Sequence, residues 1–266
     1  MKIIRTAGLV AGLAAITLIF SSCVITVNKK AVRIFAKDKF VEASGVITTR
    51  DTTVSPFTKL SVSGPLDVTF TQSTEQPSVK ITTSDNIQEY MEVKIEDNTL
   101  KVGLKDGPAR ISEDIRVEIV GPAADALKLA GSSDVRISSI SAAELIISAA
   151  GSCDINLGEV NASSFESVIA GSGNIDAAHV NADSADLTIA GSGDMDMYLN
   201  VNELSASIAG SGELALKGSV SRRAKYSIAG SGHINAKDLK CPATSYETKG
   251  GSITYQDADG HLVKED

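Results

Sequence analysis

The chain has 266 residues, with 33 acidic residues against 25 Lys and Arg and a formal net charge of −8. An acidic surface repels phosphate, so this balance argues against nucleic acid as a partner. Aromatic residues make up 4% of the chain and Trp is absent, which leaves few rings for stacking against sugars.

The N-terminal segment predicts export. Two basic residues precede an apolar run from Ala7 to Phe20, which is followed by Ser21-Ser22-Cys23. The run is shorter than the ~20 helical residues that cross a bilayer, and its length is typical of a secretory signal. Small residues directly before a cysteine resemble the lipobox of bacterial lipoproteins. This resemblance implies a signal peptide over residues 1–22 and lipidation of Cys23, with ordinary signal cleavage as the alternative.

Residues 23–45 carry no sustained period and predict a tether between the membrane and the folded domain. Basic residues in this segment either lie on anionic headgroups or belong to a solvated linker. We therefore expect an exported, lipid-anchored protein of the cell envelope, on an outer-membrane, periplasmic or surface face that the sequence leaves open. The basic residues are Lys29, Lys30, Arg33, Lys37 and Lys39.

A short phrase, Ala-Gly-Ser-Gly-Asp/Asn-Ile, recurs through the second half of the chain. A fixed period of this length predicts a solenoid, a chain wound into stacked, similar coils. The spacing is 20 residues, except for one step of 19 between Gly191 and Gly210. The lead glycines are Gly131, Gly151, Gly171, Gly191, Gly210 and Gly230.

Alignment on these glycines sorts the apolar residues into columns that we expect to point inward. Two positions before the glycine stand Leu129, Ala149, Ile169, Ile189, Ile208 and Ile228. Four positions after it stand Val135, Ile155, Ile175, Met195, Leu214 and Ile234, and six after it Ile137, Leu157, Ala177, Met197, Leu216 and Ala236. A further inward corner is predicted at Val160, Val180, Val201, Val220 and Leu239.

The predicted fold is all-β: a single-stranded, right-handed parallel β-helix with coils of about 20 residues, spanning residues 46–255. Handedness follows from the rule that parallel crossovers are nearly always right-handed. The first and third positions of the phrase require glycine for positive φ or close backbone approach. Cys153 and Cys241 lie over four coils apart, or roughly 20 Å at the ~4.8 Å strand spacing, so no disulfide is expected.

The first half of the domain is predicted to be a less regular beginning of the same stack. Alternating apolar residues with many β-branched side chains predict strands. A degenerate copy of the phrase surrounds Gly64 and Asp67, and a worn last copy stands at Lys249-Gly250-Gly251-Ser252. Turns or a short helical bend are expected at Asp85 to Tyr90 and Asp106-Gly107-Pro108. The polar tail 256–266 is expected to protect the lower end of the stack.

The recurring phrase, preceded by a lipoprotein-like signal, resembles the sequences of the family described as "putative auto-transporter adhesin, head GIN domain". The resemblance covers Phe57 to Tyr255 and rests on six copies of the phrase. It implies a cell-envelope β-helix module. The adhesin description favours a binding role but specifies no ligand, since function depends on a site and not on a fold.

An outward acidic column is the one candidate for chemistry. Stacking brings the carboxylates of adjacent coils within ~5 to 7 Å of one another, which suits either a calcium ion or a solvated face that also satisfies turn backbone. The residues concerned are Asp154, Asn174, Asp176, Asp194 and Asp196, in a column that begins at Asp134. We predict no catalytic, cofactor or metal residues: His179, His233 and His261 are scattered, and the serine after each glycine suits a hydrogen-bonded ladder.

The sequence thus predicts a non-catalytic envelope lipoprotein whose solenoid binds or adheres to an unidentified ligand, such as an envelope protein or a polysaccharide. One alternative is a carbohydrate-active enzyme that uses Asp176, Asp194 and Asp196, since carboxylate pairs serve glycoside cleavage. Self-association of the solenoid ends into a scaffold is another.

Overall fold

The computed structural model describes residues 40–105, 110–111 and 113–265. The predicted signal peptide 1–22, the predicted lipidation residue Cys23, most of the tether 23–45 and the turn at Asp106-Gly107-Pro108 lie outside the described residues. The described part is almost entirely β-strand, wound into stacked coils of about 20 residues. The predicted β-solenoid is confirmed.

The regular part of the stack consists of long bent strands, each close to one full coil. Every strand pairs in parallel with the next, with lead glycine opposite lead glycine, as Gly151 lies opposite Gly171. Each coil therefore repeats the backbone path of the one above it. The strands are β11 (Asp134–Gly151), β12 (Asp154–Gly171), β13 (Asn174–Gly191), β14 (Asp194–Gly210) and β15 (Glu213–Gly230).

The N-terminal part joins the same sheet but is not stacked in chain order. The coil made of β3 (Lys59–Gly64) and β4 (Leu66–Gln72) has two parallel neighbours that both come later in the chain. On one side lie β10 (Ala126–Gly131) and β11, and on the other lie β7 (Thr99–Leu104) and β9 (Ile115–Gly121). Gly64 lies opposite Gly131, which confirms the degenerate first copy.

The far N-terminal end is closed by antiparallel strands. The outer strands are β2 (Ile47–Thr53), β5 (Ser78–Ser84) and β6 (Met91–Glu96), and a short pair, β1 (Phe40–Val41) with β8 (Arg110–Ile111), lies outside the main sheet. The helical turn α1 (Asp85–Gln88), expected as a bend, connects β5 to β6. β5 pairs antiparallel with both β9 and β2, and β6 pairs antiparallel with β7, so the parallel pairing of the coils does not continue on this side.

The C-terminal end carries the worn last copy of the phrase. Beyond β16 (His233–Lys240), the strand β17 (Thr244–Lys249) pairs with β15, and β18 (Ser252–Gln256) pairs with β16. The phrase residues Gly250 and Gly251 both have positive φ. In the segment 256–266, β19 (Leu262–Glu265) folds back antiparallel onto β18 and completes a hairpin.

The interior is one continuous column of aliphatic side chains. All three predicted inward columns are buried, with no member more than 4% exposed. The predicted corner column is also buried, but its register is wrong. Val180 lies opposite Leu199, and Val201 lies opposite Ala182 and Val220. The 19-residue coil has one residue fewer at this corner, which moves Val201 into the neighbouring row.

The glycine corner is shaped by coil-on-coil contact. Gly171 has φ +147°, and a Cβ atom there would lie 2.2 Å from the carbonyl oxygen of Gly151. At the third position, a Cβ on Gly173 would lie 2.1 Å from the carbonyl oxygen of Cys153. The first position therefore needs glycine for conformation and space. At Gly173 the third position needs it for space, whereas the first two copies carry Ser133 and Cys153 there. Ser133, in the first copy, is buried and its hydroxyl donates to the Gly64 carbonyl at 2.6 Å.

Cys153 and Cys241 are both buried free thiols, as expected. Burial raises the pKa of Cys153, which keeps that sulfur in the less reactive thiol form. Among the residues described, no helix has the length and apolar character needed to span a bilayer.

Replacement of Gly171 with Ala is expected to destabilise the domain by about 3 kcal/mol, because the new Cβ combines a strained φ with a backbone clash. Urea unfolding followed by circular dichroism measures this loss. Ser172→Ala is the matched control: the neighbouring serine is exposed, and its replacement should change stability by less than ~0.5 kcal/mol. Equal stability of the two variants would contradict this account of the corner.

Candidate binding surface

The predicted acidic column lies on the outside of the solenoid in a continuous register. Asp134, Asp154, Asn174, Asp194 and Glu213 lie opposite one another in successive coils, and all are exposed. A second row two residues further along the coils contains Asn156, Asp176 and Asp196. We call Asp134, Asp154, Asn174, Asp176, Asp194 and Asp196 the acidic face.

Several of these carboxylates are bonded to the next coil. Asp154 Oδ1 accepts hydrogen bonds from the backbone N–H and the side-chain amide of Asn174, at 3.1 and 3.0 Å. Asp194 Oδ1 accepts from the Glu213 backbone N–H at 2.8 Å. Asp196 forms an ion pair with Lys217 at 3.0 Å. The acidic face therefore links coils to one another as well as facing solvent.

Two members of the acidic face have raised carboxyl pKa values. Partial burial raises the pKa of Asp176, and the charges of Asp196 and Asp154 add to the effect. Partial burial likewise raises the pKa of Asp134, and the charge of Asp154 is the second cause. The proton is thus held more tightly than on an isolated aspartate, because partial burial disfavours the charged carboxylate and the neighbouring like charges add to this effect.

The acidic face does not gather its carboxylates around one point. Within the described ranges, one group of three acidic or His side chains has all its ligand atoms within 4.8 Å: Asp257, Asp259 and His261. Asp257 Oδ1 there accepts from the backbone N–H groups of Asp259 and His261 at 3.0 and 2.8 Å, which holds the β18–β19 turn. The geometry thus favours the solvated reading of the acidic face over the calcium reading.

The residues of the enzyme alternative line a shallow open depression with Asn174 and Glu213. Asp194 and Asp196 are already engaged by the Glu213 N–H and the Lys217 ammonium. The third residue, Asp176, has a raised pKa, and no hydrogen bond or ion pair joins its carboxylate to another described residue. General acid catalysis needs a partner base or nucleophile at a defined distance, and the two bonded carboxylates are held in structural contacts instead.

The histidines and serines singled out by the sequence have structural surroundings. His179 is exposed and packs against the Tyr198 ring, His233 is half-buried with Nδ1 2.7 Å from the Ser252 hydroxyl, and His261 lies in the turn described above. The serine after each lead glycine is exposed. Its backbone N–H, and not its hydroxyl, forms the ladder, as Ser172 N donates to the Gly151 carbonyl at 2.8 Å.

A second surface was missed by the sequence analysis: an open groove on another side of the coils, which we call the asparagine groove. Its volume is about 520 Å³. One edge is the row Asn161, Asn181, Asn200 and Ser219, with one residue from each coil. The other edge contains Asp183, Asn202 and Ser221, and the floor is Ala162, Ala182 and Val201.

Polar side chains in the asparagine groove are bonded from coil to coil. On one edge, the Asn181 amide donates to Asn161 Oδ1 at 3.1 Å and the Ser219 hydroxyl donates to Asn200 Oδ1 at 2.7 Å. On the other edge, Asn202 donates to Asp183 at 3.1 Å. The signal in the sequence was an asparagine ten residues after Gly151 and Gly171, a column in which the 19-residue coil interrupts the spacing.

Stacked coils of about 20 residues, with polar side chains bonded from coil to coil on the outside, define a β-solenoid repeat protein. The chain belongs to the family described as "putative auto-transporter adhesin, head GIN domain", whose model matches residues 56–178 and 174–262. The predicted resemblance is confirmed, and the family's description places the chain among adhesin-like proteins of the cell surface or envelope. A comparison with curated proteins finds no match.

Crystal structures share the fold at low sequence identity. A putative lipid binding protein from Parabacteroides distasonis ATCC 8503 is 23% identical, with a TM-score of 0.71 over 81% of this chain and 98% of that one. A putative adhesin from Bacteroides fragilis NCTC 9343 is 22% identical, with a TM-score of 0.68 over 82% and 99%. A putative adhesin from Parabacteroides merdae ATCC 43184 is 21% identical, with a TM-score of 0.66 over 82% and 98%.

Asp176→Asn is expected to stabilise the domain at pH 7 by no more than about 1 kcal/mol, the range of exposed charge interactions. The folded state raises the pKa of Asp176 above its ordinary value of 3.8. Protonated Asp176 therefore stabilises the folded state. This contribution to the free energy of unfolding is complete below the ordinary pKa and is lost as the pH rises through the folded-state pKa. Denaturant unfolding at pH 7 and pH 3 should show the gain only at pH 7.

Glu144→Gln serves as the control for that measurement, because Glu144 is exposed and lies opposite Ser164 and not opposite another acid. Its replacement should leave the pH dependence unchanged. An equal gain at both pH values for Asp176→Asn would show that charge is not the cause.

Proposed function

We propose that this chain is a non-catalytic lipoprotein of the cell envelope that presents its solenoid as a rigid surface for binding or adhesion. The observation that carries the proposal is the bonding of outward side chains across coils. Asp154 bonds to Asn174, Asn161 to Asn181 and Glu203 to Arg223, so exposed groups on several sides are held in fixed places. A surface ordered before contact loses little conformational entropy when a partner binds.

The packing of the coil interior favours ligand binding on the outer surface of this chain. One structural neighbour is described as a putative lipid binding protein. In this chain the coil interior is filled by close-packed Ile, Leu and Val side chains, and an acyl chain would have to displace them. The two depressions described above are open and polar. These features favour a ligand that contacts the outside of the coils.

The anchor is the second part of the proposal. Cys23 after a short apolar run is the lipidation site that the sequence predicts, and the following segment leads to the first described strand at Phe40. Two acyl chains hold a protein at a bilayer far more firmly than one. A diacylated Cys23 would place the solenoid a short tether away from the membrane.

Deletion of the gene for this chain is expected to reduce the retention of bacterial cells on a surface. We expect a loss of at least half on at least one of three surfaces: polystyrene, mucin and a layer of cells of the same strain. Wild-type chain and Asp194→Asn should both restore retention. The Asn side chain keeps an oxygen that can accept from the Glu213 N–H, whereas it cannot act as an acid, base or nucleophile.

Two results would overturn the binding role. Unchanged retention of the deletion strain on all three surfaces would remove the adhesion proposal. Release of reducing ends from a polysaccharide by the purified wild-type chain, abolished in Asp194→Asn, would replace it with the enzyme alternative.

Cys23→Ser is expected to move the chain from the membrane fraction to the soluble exported fraction, since serine accepts no thioether-linked lipid. Mass spectrometry of the mature wild-type N-terminus should show a lipid-modified Cys23. Ser22→Ala, next to the acceptor, is a control that keeps both the thiol and a small preceding residue, and it should remain at the membrane. An unmodified Cys23 or cleavage elsewhere would contradict the anchor.

A further inference from the structure

We propose that the asparagine groove binds an extended, neutral β-1,4-linked glycan that runs along the solenoid axis. The inference deepens the proposed binding function and rests on it. The polar edge of the groove is a straight row, because Asn161, Asn181, Asn200 and Ser219 lie opposite one another in successive coils. It offers one side chain per coil and spans roughly 14 Å at ~4.8 Å per coil.

The bonding along this edge has a gap at its centre. Asn161 is bonded to Asn181, and Asn200 to Ser219, but no hydrogen bond joins Asn181 to Asn200 within the described residues. Asn181 Oδ1 and Asn200 Nδ2 therefore remain available, as one acceptor and one donor in adjacent coils. An amide pair of this kind matches a ligand hydroxyl, which both donates and accepts.

An exposed aromatic residue lies beside the gap. Tyr198 precedes Asn200 by two residues on the same strand, so both side chains point outward from the same coil. Tyr198 is 43% exposed, and its ring packs edge-on against His179 with centroids 5.2 Å apart, which fixes its orientation. A tyrosine offers an apolar face for the C–H face of a sugar ring and a hydroxyl at its tip.

The 19-residue coil produces the gap and the aromatic residue together. In the step from β13 to β14 the register shifts between Ala177 and Val180, where two residues of one coil face a single residue of the next. The residue at that position is Tyr198. The 19-residue coil therefore places a ring beside the interrupted amide pair.

The charge of the groove selects against anionic ligands. Glu159 accepts from the Asn161 amide at 3.1 Å, and Asp183 lies on the opposite edge. Carboxylates on both sides repel a polyanion, whereas hydroxyl and N-acetyl groups are neutral. A β-1,4-linked glycan is a straight ribbon whose sugar rings repeat at a spacing close to one coil, whereas an α-1,4-linked chain coils away from a straight groove.

Isothermal titration calorimetry of the whole exported chain with cellohexaose and chitohexaose tests the proposal. At least one of the two should bind, with maltohexaose and a hyaluronan hexasaccharide at least fivefold weaker. Asn181→Ala combined with Asn200→Ala should weaken binding at least fivefold. Tyr198→Ala, a single exposed change, should do the same and provides a second variant if the double variant unfolds.

Ser172→Ala, at the exposed glycine corner and outside the asparagine groove, is the control and should bind as wild type. Absence of binding by both hexasaccharides overturns the inference, as does a loss below fivefold in Tyr198→Ala. Retention that depends on the chain in the deletion experiment, combined with no hexasaccharide binding, removes this ligand but keeps the binding function. Retention that does not depend on the chain removes the binding function itself.

Discussion

Every other feature of this molecule depends on the hydrogen-bonded contact between one glycine corner and the next. At the five corners from Ser152 to Ser231 the serine N–H donates to the lead-glycine carbonyl of the preceding coil, at 2.8 to 2.9 Å. The carbonyl lies where a side chain would otherwise stand. This close approach fixes the register of each coil, and the register places the aliphatic residues in one interior column and the polar residues in outer rows. A domain whose cysteines form no bridge is thus held by repetition of one local contact.

Much of the fold follows from the sequence because the repeat is short and nearly regular. The inward columns were predictable, since period-2 alternation on either side of a fixed glycine leaves one choice of face. The register of the corner row was not predictable. The spacing from Gly191 to Gly210 shows that this coil is one residue shorter, but it does not show at which position along the coil the residue is missing. The structure places it beside Tyr198, which moves Val201 into the row of Ala182. The stacking of β7 and β9 above β3 and β4 was equally hidden, since it joins distant segments.

The candidate surfaces, like the fold, could be predicted only in part from the sequence. The acidic face could be derived from the column after the glycines, but its bonds to Lys217 and to the Glu213 backbone depend on side-chain directions that spacing does not define. The asparagine groove was overlooked because its residues stand far from the glycine used for alignment. Its concavity arises from small side chains at Ala162 and Ala182, which sequence alone reads as ordinary exposed positions. The regular coils thus give the chain an ordered outer surface, and the irregular positions make one part of that surface different from the rest.

The out-of-order coil at the N-terminal end has a consequence for how the chain acquires its structure. The coil of β3 and β4 finds its parallel neighbours only after residues 99–131 are available, since Gly64 pairs with Gly131 and Leu60 with Leu100. A chain synthesised from its N-terminus therefore contains this coil well before the segments that flank it have been made. The coils from β11 onward each complete their contacts within about 20 residues. Closing long loops is slower than closing short ones, so assembly begins in the later repeats and reaches the N-terminal coil last.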